Sequence, residues 1–231
     1  MAAVRGVIFD LFHTLTGLES EWSDLPGTST LLGIDRRVWD GVLHERSRDR
    51  LTGAVTDPFL IVRSLAHMID PTIPDDRIRA TVEMRIRRFR DTLSRIPPAN
   101  IDVLKRLRES GVKVGLITNA DAIEMASWAQ CPLAGLFDAE VISCHVGMAK
   151  PDPEIFLKCL DMLGLPAEHC LFVGDGGSNE LAAAKGVGMK TVFISGIIQE
   201  LWPERIAERR AIADHHIVRL PEVLKVPGLV A

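Results

Sequence analysis

Val4-Arg5-Gly6-Val7-Ile8-Phe9-Asp10-Leu11-Phe12-His13-Thr14 decides how this chain is read. Residues 4–9 form a short, largely apolar run that stops at an aspartate, and a turn carrying a threonine follows. An apolar strand closed by Asp10 sets a carboxylate at the strand's C-terminal edge. In an open α/β sheet that edge is where ligands bind.

Working outward, the rest of the chain supplies a sheet for that strand. From about residue 97, helical and strand-like runs alternate. Ile101, Val103, Leu104 and Leu107 predict a helix over 99–110 that ends at Gly111. Val112 to Ile117 predicts a buried strand closing on Thr118-Asn119. A helix over 120–130, a strand over 139–144, a helix over 153–164 and a strand over 170–173 follow. A helix over 179–185, a strand over 190–194 and a closing strand at Ile217-Val218 complete the series. Such alternation predicts a Rossmann-like α/β fold, a parallel sheet covered on both faces. Residues 17–96 break the rhythm. They hold three amphipathic stretches of helical period, 36–50, 58–69 and 74–93, with no strand between them. The expected organisation is a core of residues 1–16 and 97–231 with an α-helical insert at 17–96. The insert carries 13 Arg against 13 Asp plus Glu, and no Lys precedes Lys105.

Composition narrows the function classes. A net charge of −4 argues against a nucleic-acid partner. No apolar run approaches the ~20 residues of a membrane span, and the N-terminal apolar stretch, broken by Asp10, is too short for a signal-peptide core. A cytoplasmic location and a small-molecule substrate are expected. Cys131, Cys144, Cys159 and Cys170 lack metal-site spacing and are expected to be free, buried thiols.

Three later segments also close apolar runs or loops with reactive groups: LITNA around Thr118, GMAKPDPEIF around Lys150, and VGDGGSNELAAAKGVGM around Asp175 and Glu180. Each residue alone has a plain structural reading. Asp10 and Thr118 could be helix caps, Lys150 a solvated loop lysine, and Asp175 a turn acid. Their order, an acid, a hydroxyl, a lysine before Pro and a Gly-Asp-Gly turn, is what points elsewhere. Together with IFDLFHTLT they resemble the four motifs of the haloacid dehalogenase (HAD) superfamily, and the helical insert lies where that family carries its C1-type cap. The resemblance implies a hydrolase with Asp10 as nucleophile and with Thr118, Asn119 and Lys150 around the substrate, beside Phe12 and His13. It implies Mg²⁺ held by Asp10, the main-chain oxygen of Phe12 and Asp175, with Glu180 binding a metal water. The chemistry is sound: a carboxylate attacks phosphorus once the target's charge is neutralised, and Mg²⁺ prefers few carboxylates plus waters.

Phe12 departs from the phosphatase pattern, in which this position is an Asp that protonates the leaving oxygen. Loss of such an acid costs ~10²–10⁴ in rate. In the dehalogenase branch the position is commonly aromatic, and halide leaves without a proton. Two readings therefore stand: a Mg²⁺-dependent phosphatase of a small phosphorylated metabolite, expected first because of the acids in GDGGSNE, and a haloacid-type dehalogenase. A third is a weakly active protein that binds a phosphorylated ligand. The phosphonate-cleaving branch needs a cap lysine, which the insert lacks. His13 either supplies an acid/base imidazole or points away to pack near the cap hinge. Arg46 and Arg50, four apart, either meet an anion or form a solvated face with Glu45 and Asp49. Trp22 and Trp39 are expected in the cap core.

Overall fold

The computed structural model of the protein describes residues 3–18 and 23–229. Strand β1 (Gly6–Phe9) opens the chain, and helices α1 (Thr28–Leu32), α2 (Arg36–Glu45), α3 (Ser47–Leu51), α4 (Pro58–Ile69) and α5 (Asp75–Ser94) follow without a strand. Then come α6 (Pro98–Glu109), β2 (Lys113–Thr118), β3 (Ala139–Ile142), α7 (Ser143–Val146) and α8 (Pro153–Leu163). The chain closes with β4 (Cys170–Gly174), α9 (Glu180–Gly186), β5 (Lys190–Ile194), α10 (Gly196–Leu201), α11 (Ile206–Ile212) and β6 (His215–Ile217).

The six strands pair in parallel in the order β3-β2-β1-β4-β5-β6. The chain leaves β1 toward β2 on one side and returns to β4 on the other, so the order reverses between β1 and β4. A crevice opens outside the strand ends at such a point. Phe9 pairs with Val173 there, and the Asp10 N–H donates to the Val173 carbonyl at 2.9 Å. The register thus brings Asp10 beside Asp175. Alternation along β1 sends Val7 and Phe9 into one apolar layer with α6, and Ile8 into the other with α8 and α9.

The insert folds by its own caps. Asp35 accepts from the Arg37 and Val38 amides ahead of α2, and Asp57 accepts from the Leu60 amide ahead of α4, where Pro58 sits in the first turn. Leu32, Trp39, Ile61, Val62, Leu65, Ile78 and Val82 form a separate apolar cluster. Trp39 lies in that cluster as expected; Trp22 lies outside the described residues.

Three sequence expectations need correction. The helix expected over 36–50 is split, with Arg46 between α2 and α3. The helix expected over 120–130 is a series of turns ending in a short 3₁₀ segment at Trp128–Gln130. Its apolar residues serve two cores: Ile123 joins the cap cluster, while Met125 and Trp128 join the main one. The Asp121 side chain takes the Ile123 and Glu124 amides, so the segment opens as a turn closed by its own side chain. The strand expected over 139–144 ends at Ile142, where α7 begins. Free thiols are confirmed at all four cysteines, each buried.

Candidate active site

Four chain segments meet at the C-terminal edge of the sheet. Asp10, one residue beyond β1, is buried, and Thr14 Oγ1 donates to its Oδ2 at 3.2 Å. Lys150 enters from the loop before α8. Its ammonium donates to Asp10 Oδ1 and to Glu180 Oε2, both at 2.5 Å. The loop is fixed by a reciprocal pair: the Asn119 amide donates to the Lys150 carbonyl and accepts from the Lys150 N–H, each at 2.8 Å. Asn119 therefore sets the lysine's backbone as well as lying next to Thr118. The Thr118 hydroxyl is buried and has no hydrogen-bond partner among the described residues, an orphan group of the kind a substrate oxygen satisfies.

Asp175 follows β4 and is held on three sides. Gly177 N–H donates to its Oδ1 at 2.7 Å, His13 Nδ1 lies 3.4 Å from Oδ2, and Arg209 donates to its carbonyl at 2.7 Å. Gly174 is required for close approach, because a Cβ there would collide with the Glu180 carboxylate. Carboxylate oxygens of Asp10, Asp175 and Glu180 all lie within 4.8 Å of one another.

The electrostatics follow from burial. Desolvation raises the Asp10 carboxyl, with Lys150 opposing and Asp175 adding to the rise. Glu180 is pushed up to about 8 by burial and by Asp10 and Asp175, against Lys150. Burial alone would raise Asp175, but His13, the Gly177 amide and Arg209 outweigh it and hold it below the usual carboxylate range. Burial would lower Lys150, yet Asp10 and Glu180 hold it firmly protonated. Three buried carboxyl groups thus crowd one ammonium, and burial and mutual repulsion raise two of them, Asp10 and Glu180.

Residues 4–188 match the description haloacid dehalogenase-like hydrolase. The chain belongs to that family. Among similar curated proteins is a glyceraldehyde 3-phosphate phosphatase from Methanocaldococcus jannaschii, 27% identical over 83% of this chain and 85% of its own length. One from Pyrococcus furiosus is 33% identical over 58% of this chain. A phosphoglycolate phosphatase from Pseudomonas savastanoi is 31% identical over 60% of it. The match spans only about half, 55%, of the P. furiosus relative. Among solved structures, L-2-haloacid dehalogenase from Xanthobacter autotrophicus superposes with TM-score 0.66 over 99% of this chain and 100% of its own, at 18% identity. A HAD phosphatase from Thermococcus onnurineus gives 0.64 over 98% and 99%, at 22% identity. At these identities the structures show a shared fold.

Seen as a HAD site, the arrangement gathers Asp10, His13, Lys150, Asp175 and Glu180, with Thr118 and Asn119 on the adjacent strand end. His13 faces Asp175, so the alternative in which it points away is set aside; its ring also meets Trp202 edge-on, with centroids 5.3 Å apart. Its backbone is left-handed, φ 61°, uncommon for a non-glycine residue. Glu180 does more than the outer role expected of it, because it grips Lys150 directly and accepts from the Gly176 N–H at 3.0 Å. The Phe12 ring turns to the cap and meets Phe89 of α5 edge-on, 5.7 Å between centroids. Arg46 is exposed, whereas Arg50 is buried against Asp121 at 2.9 Å. Sequence reasoning missed Arg209, Arg85 and Glu124, whose partners lie far away along the chain. No described helix is long and apolar enough to cross a membrane.

Proposed function

We propose that this chain is a Mg²⁺-dependent phosphomonoesterase of the cytoplasm, acting on a small phosphorylated metabolite through Asp10, with a core of residues 1–16 and 97–231 and a cap of 17–96. The observation that carries the reading is the Lys150 ammonium between Asp10 and Glu180, with Asp175 completing a buried ring of carboxylates. The donor set fits the cation: hard carboxylate oxygens of three acids within 4.8 Å of one another suit Mg²⁺. Asp10, the Phe12 carbonyl and Asp175 would hold it, and bound Mg²⁺ would supply charge neutralisation at the phosphoryl oxygens.

The chain's own groups do the rest. Thr14 and Lys150 fix the two Asp10 oxygens, so one is presented to phosphorus in a set direction. Lys150 and the orphan Thr118 hydroxyl meet the charge that builds on the equatorial oxygens. An Asp10 oxygen bonds to phosphorus as the bond to the leaving oxygen breaks. Water then attacks the aspartyl-phosphate, releasing phosphate and restoring Asp10. The names of the phosphatase relatives agree with this reading. Phe12 is the observation that favours the second reading, haloacid dehalogenation, because halide departs unprotonated.

The test is release of phosphate from a panel of phosphate esters and of halide from 2-haloacids, with and without Mg²⁺. Phosphate release that EDTA abolishes, and that Asp10→Asn removes without changing the circular dichroism spectrum, is the expected result. Halide release insensitive to EDTA would install the second reading, and an active Asp10→Asn protein would remove Asp10 as nucleophile.

A further inference from the structure

Between β5 and β6 the chain carries α10 and α11, and two side chains of this segment turn back to the site. Trp202 meets His13 edge-on. Arg209, in the middle of α11, reaches Asp175: its Nη1 donates to the Asp175 carbonyl at 2.7 Å and stands 3.8 Å from Asp175 Oδ2. The arginine side chain is only 17% exposed.

The helix that delivers Arg209 is itself fixed. Ile206 and Ile212 pack on the apolar layer of α8 and α9. Lys185 of α9 donates to the Ile212 carbonyl at 2.8 Å and pairs with Asp214 at 3.1 Å. Asp214 in turn accepts from the Thr191 amide at 2.9 Å and from its hydroxyl at 3.0 Å, on β5. Two core elements thereby tie down the C-terminal end of α11, and Arg209 is a strut between that helix and the turn after β4.

The turn is shaped to receive it. Gly176 has φ +85°, and a Cβ there would lie 2.7 Å from Arg209 Cδ. A side chain at 176 is excluded twice, by the left-handed backbone and by the arginine stem. The peptide that joins Asp175 to Gly176 is held at both ends. Its carbonyl accepts from Arg209, and its N–H donates to Glu180 Oε1 at 3.0 Å. A peptide unit is planar, so two such bonds fix its orientation and, with it, the direction in which the Asp175 side chain leaves the backbone.

An arginine beside a metal-binding carboxylate acts in two ways of opposite sign. Its charge repels the cation, and its hydrogen bond holds the ligand in place. The distances here favour the second. The 2.7 Å contact is to the main chain, whereas 3.8 Å to Oδ2 is beyond hydrogen-bond length. We propose that Arg209 is a positioning residue for the cation site: by clamping the Asp175–Gly176 peptide it aims the Asp175 carboxylate at Mg²⁺. This rests on the Mg²⁺-dependent phosphatase reading, and it adds to that site a residue from outside the four motif segments.

The experiment is calorimetric titration of Mg²⁺ into the wild type, Arg209→Gln, Arg209→Lys and Arg210→Gln. Arg209→Gln is expected to weaken binding ~10–100-fold, and Arg209→Lys to recover part of the loss. Arg210→Gln removes the same charge from an exposed position on the same helix and is expected to match the wild type. With p-nitrophenyl phosphate as substrate, the Mg²⁺ concentration giving half-maximal rate should rise in Arg209→Gln while kcat at saturating Mg²⁺ is kept. In the absence of Mg²⁺, amide exchange at Gly176 should be about fivefold faster in Arg209→Gln, the equivalent of one ordinary hydrogen bond. A folded Arg209→Gln protein that binds Mg²⁺ as tightly as the wild type, or more tightly, would overturn the proposal, as would unaltered exchange at Gly176. Should Arg209→Gln not fold, Arg209→Lys decides, and affinity at the wild-type level would overturn it. A wild type that binds no Mg²⁺ takes down the phosphatase reading and the proposal with it; binding that is equal in wild type and Arg209→Gln takes down the proposal alone.

Discussion

Replacing Phe12 by Asp puts the two roles of that position into opposition. The Phe12 ring is half-buried and meets Phe89 edge-on at 5.7 Å. Such a pair contributes ~0.5–1.5 kcal/mol beyond its area, so Phe12→Asp is expected to lower stability by ~1–3 kcal/mol, the usual span for losing a packed side chain. In exchange it restores a carboxyl two residues after the nucleophile. General acids contribute ~10²–10⁴ in rate, but this one would sit beside Phe89, and desolvation would raise its pKa. The expected gain is about tenfold to a hundredfold in turnover of alkyl phosphates, below the full range for that reason. Aryl and acyl phosphates, whose leaving groups depart as stabilised anions, should gain little. The assay is kcat/KM across a leaving-group series plotted against leaving-group pKa: a steep slope for the wild type and a flattened one for Phe12→Asp. A wild type equally fast on alkyl and aryl esters would refute the reasoning, and would mean that a proton already arrives from elsewhere, His13 being the nearest candidate.

Calorimetric titration of Mg²⁺ should show binding that Asp175→Asn weakens by at least the ~10–100-fold that loss of a supporting group costs; unchanged affinity would remove Asp175 from the cation's site. The pH dependence of stability should carry a contribution from Glu124, whose carboxyl is raised by burial and by Asp121 against the pull of Arg50 and Arg85. For an acid raised on folding, the native state keeps a proton that the unfolded chain gives up, so stability declines as pH climbs above the unfolded value near 4.5 toward the folded one. Thermal midpoints of the wild type should therefore fall more as pH rises above 4.5 than those of Glu124→Gln; parallel curves would show that Glu124 titrates alike in both states.

What was legible in the sequence was whatever is encoded locally. Asp10, Thr118 and Asp175 each end a run of apolar residues, and a run that stops at a polar residue marks both a strand and its exposed end. Lys150 was legible from the Ala-Lys-Pro-Asp-Pro segment ahead of an amphipathic helix. The segment 120–130 was misread because its spacing suits a helix, while its residues are divided between two cores that only the cap's position creates. Arg50 and Arg85 find their acids 71 and 39 positions away. Separations of that size leave no periodic trace. The signal that was present is indirect: an insert built with arginine alone as its long cation, followed by Asp121 and Glu124 three apart just past the second strand.

Phe12 and the ion pairs that join Arg50 and Arg85 to Asp121 and Glu124 are two parts of one junction. Where the resemblance to phosphatases expects a proton donor, this chain has a ring that packs the cap onto the core. Beside it, Asp121 and Glu124 of the core hold Arg50 and Arg85 of the insert. Gly53 belongs to the same junction: just after α3, with φ +73°, its backbone is pressed so closely on the Cys144 carbonyl that a Cβ would collide with it. Each feature holds the insert against the core. Burial strengthens the grip of Lys150 on developing negative charge, because the same ion pair is worth more at low dielectric. Phe12 supplies no proton to a departing alkoxide. The electrostatic half of the catalyst is thereby strengthened while the proton-transfer half is left to the substrate. An enzyme so built is expected to be fastest on a phosphate whose leaving group is stable as an anion.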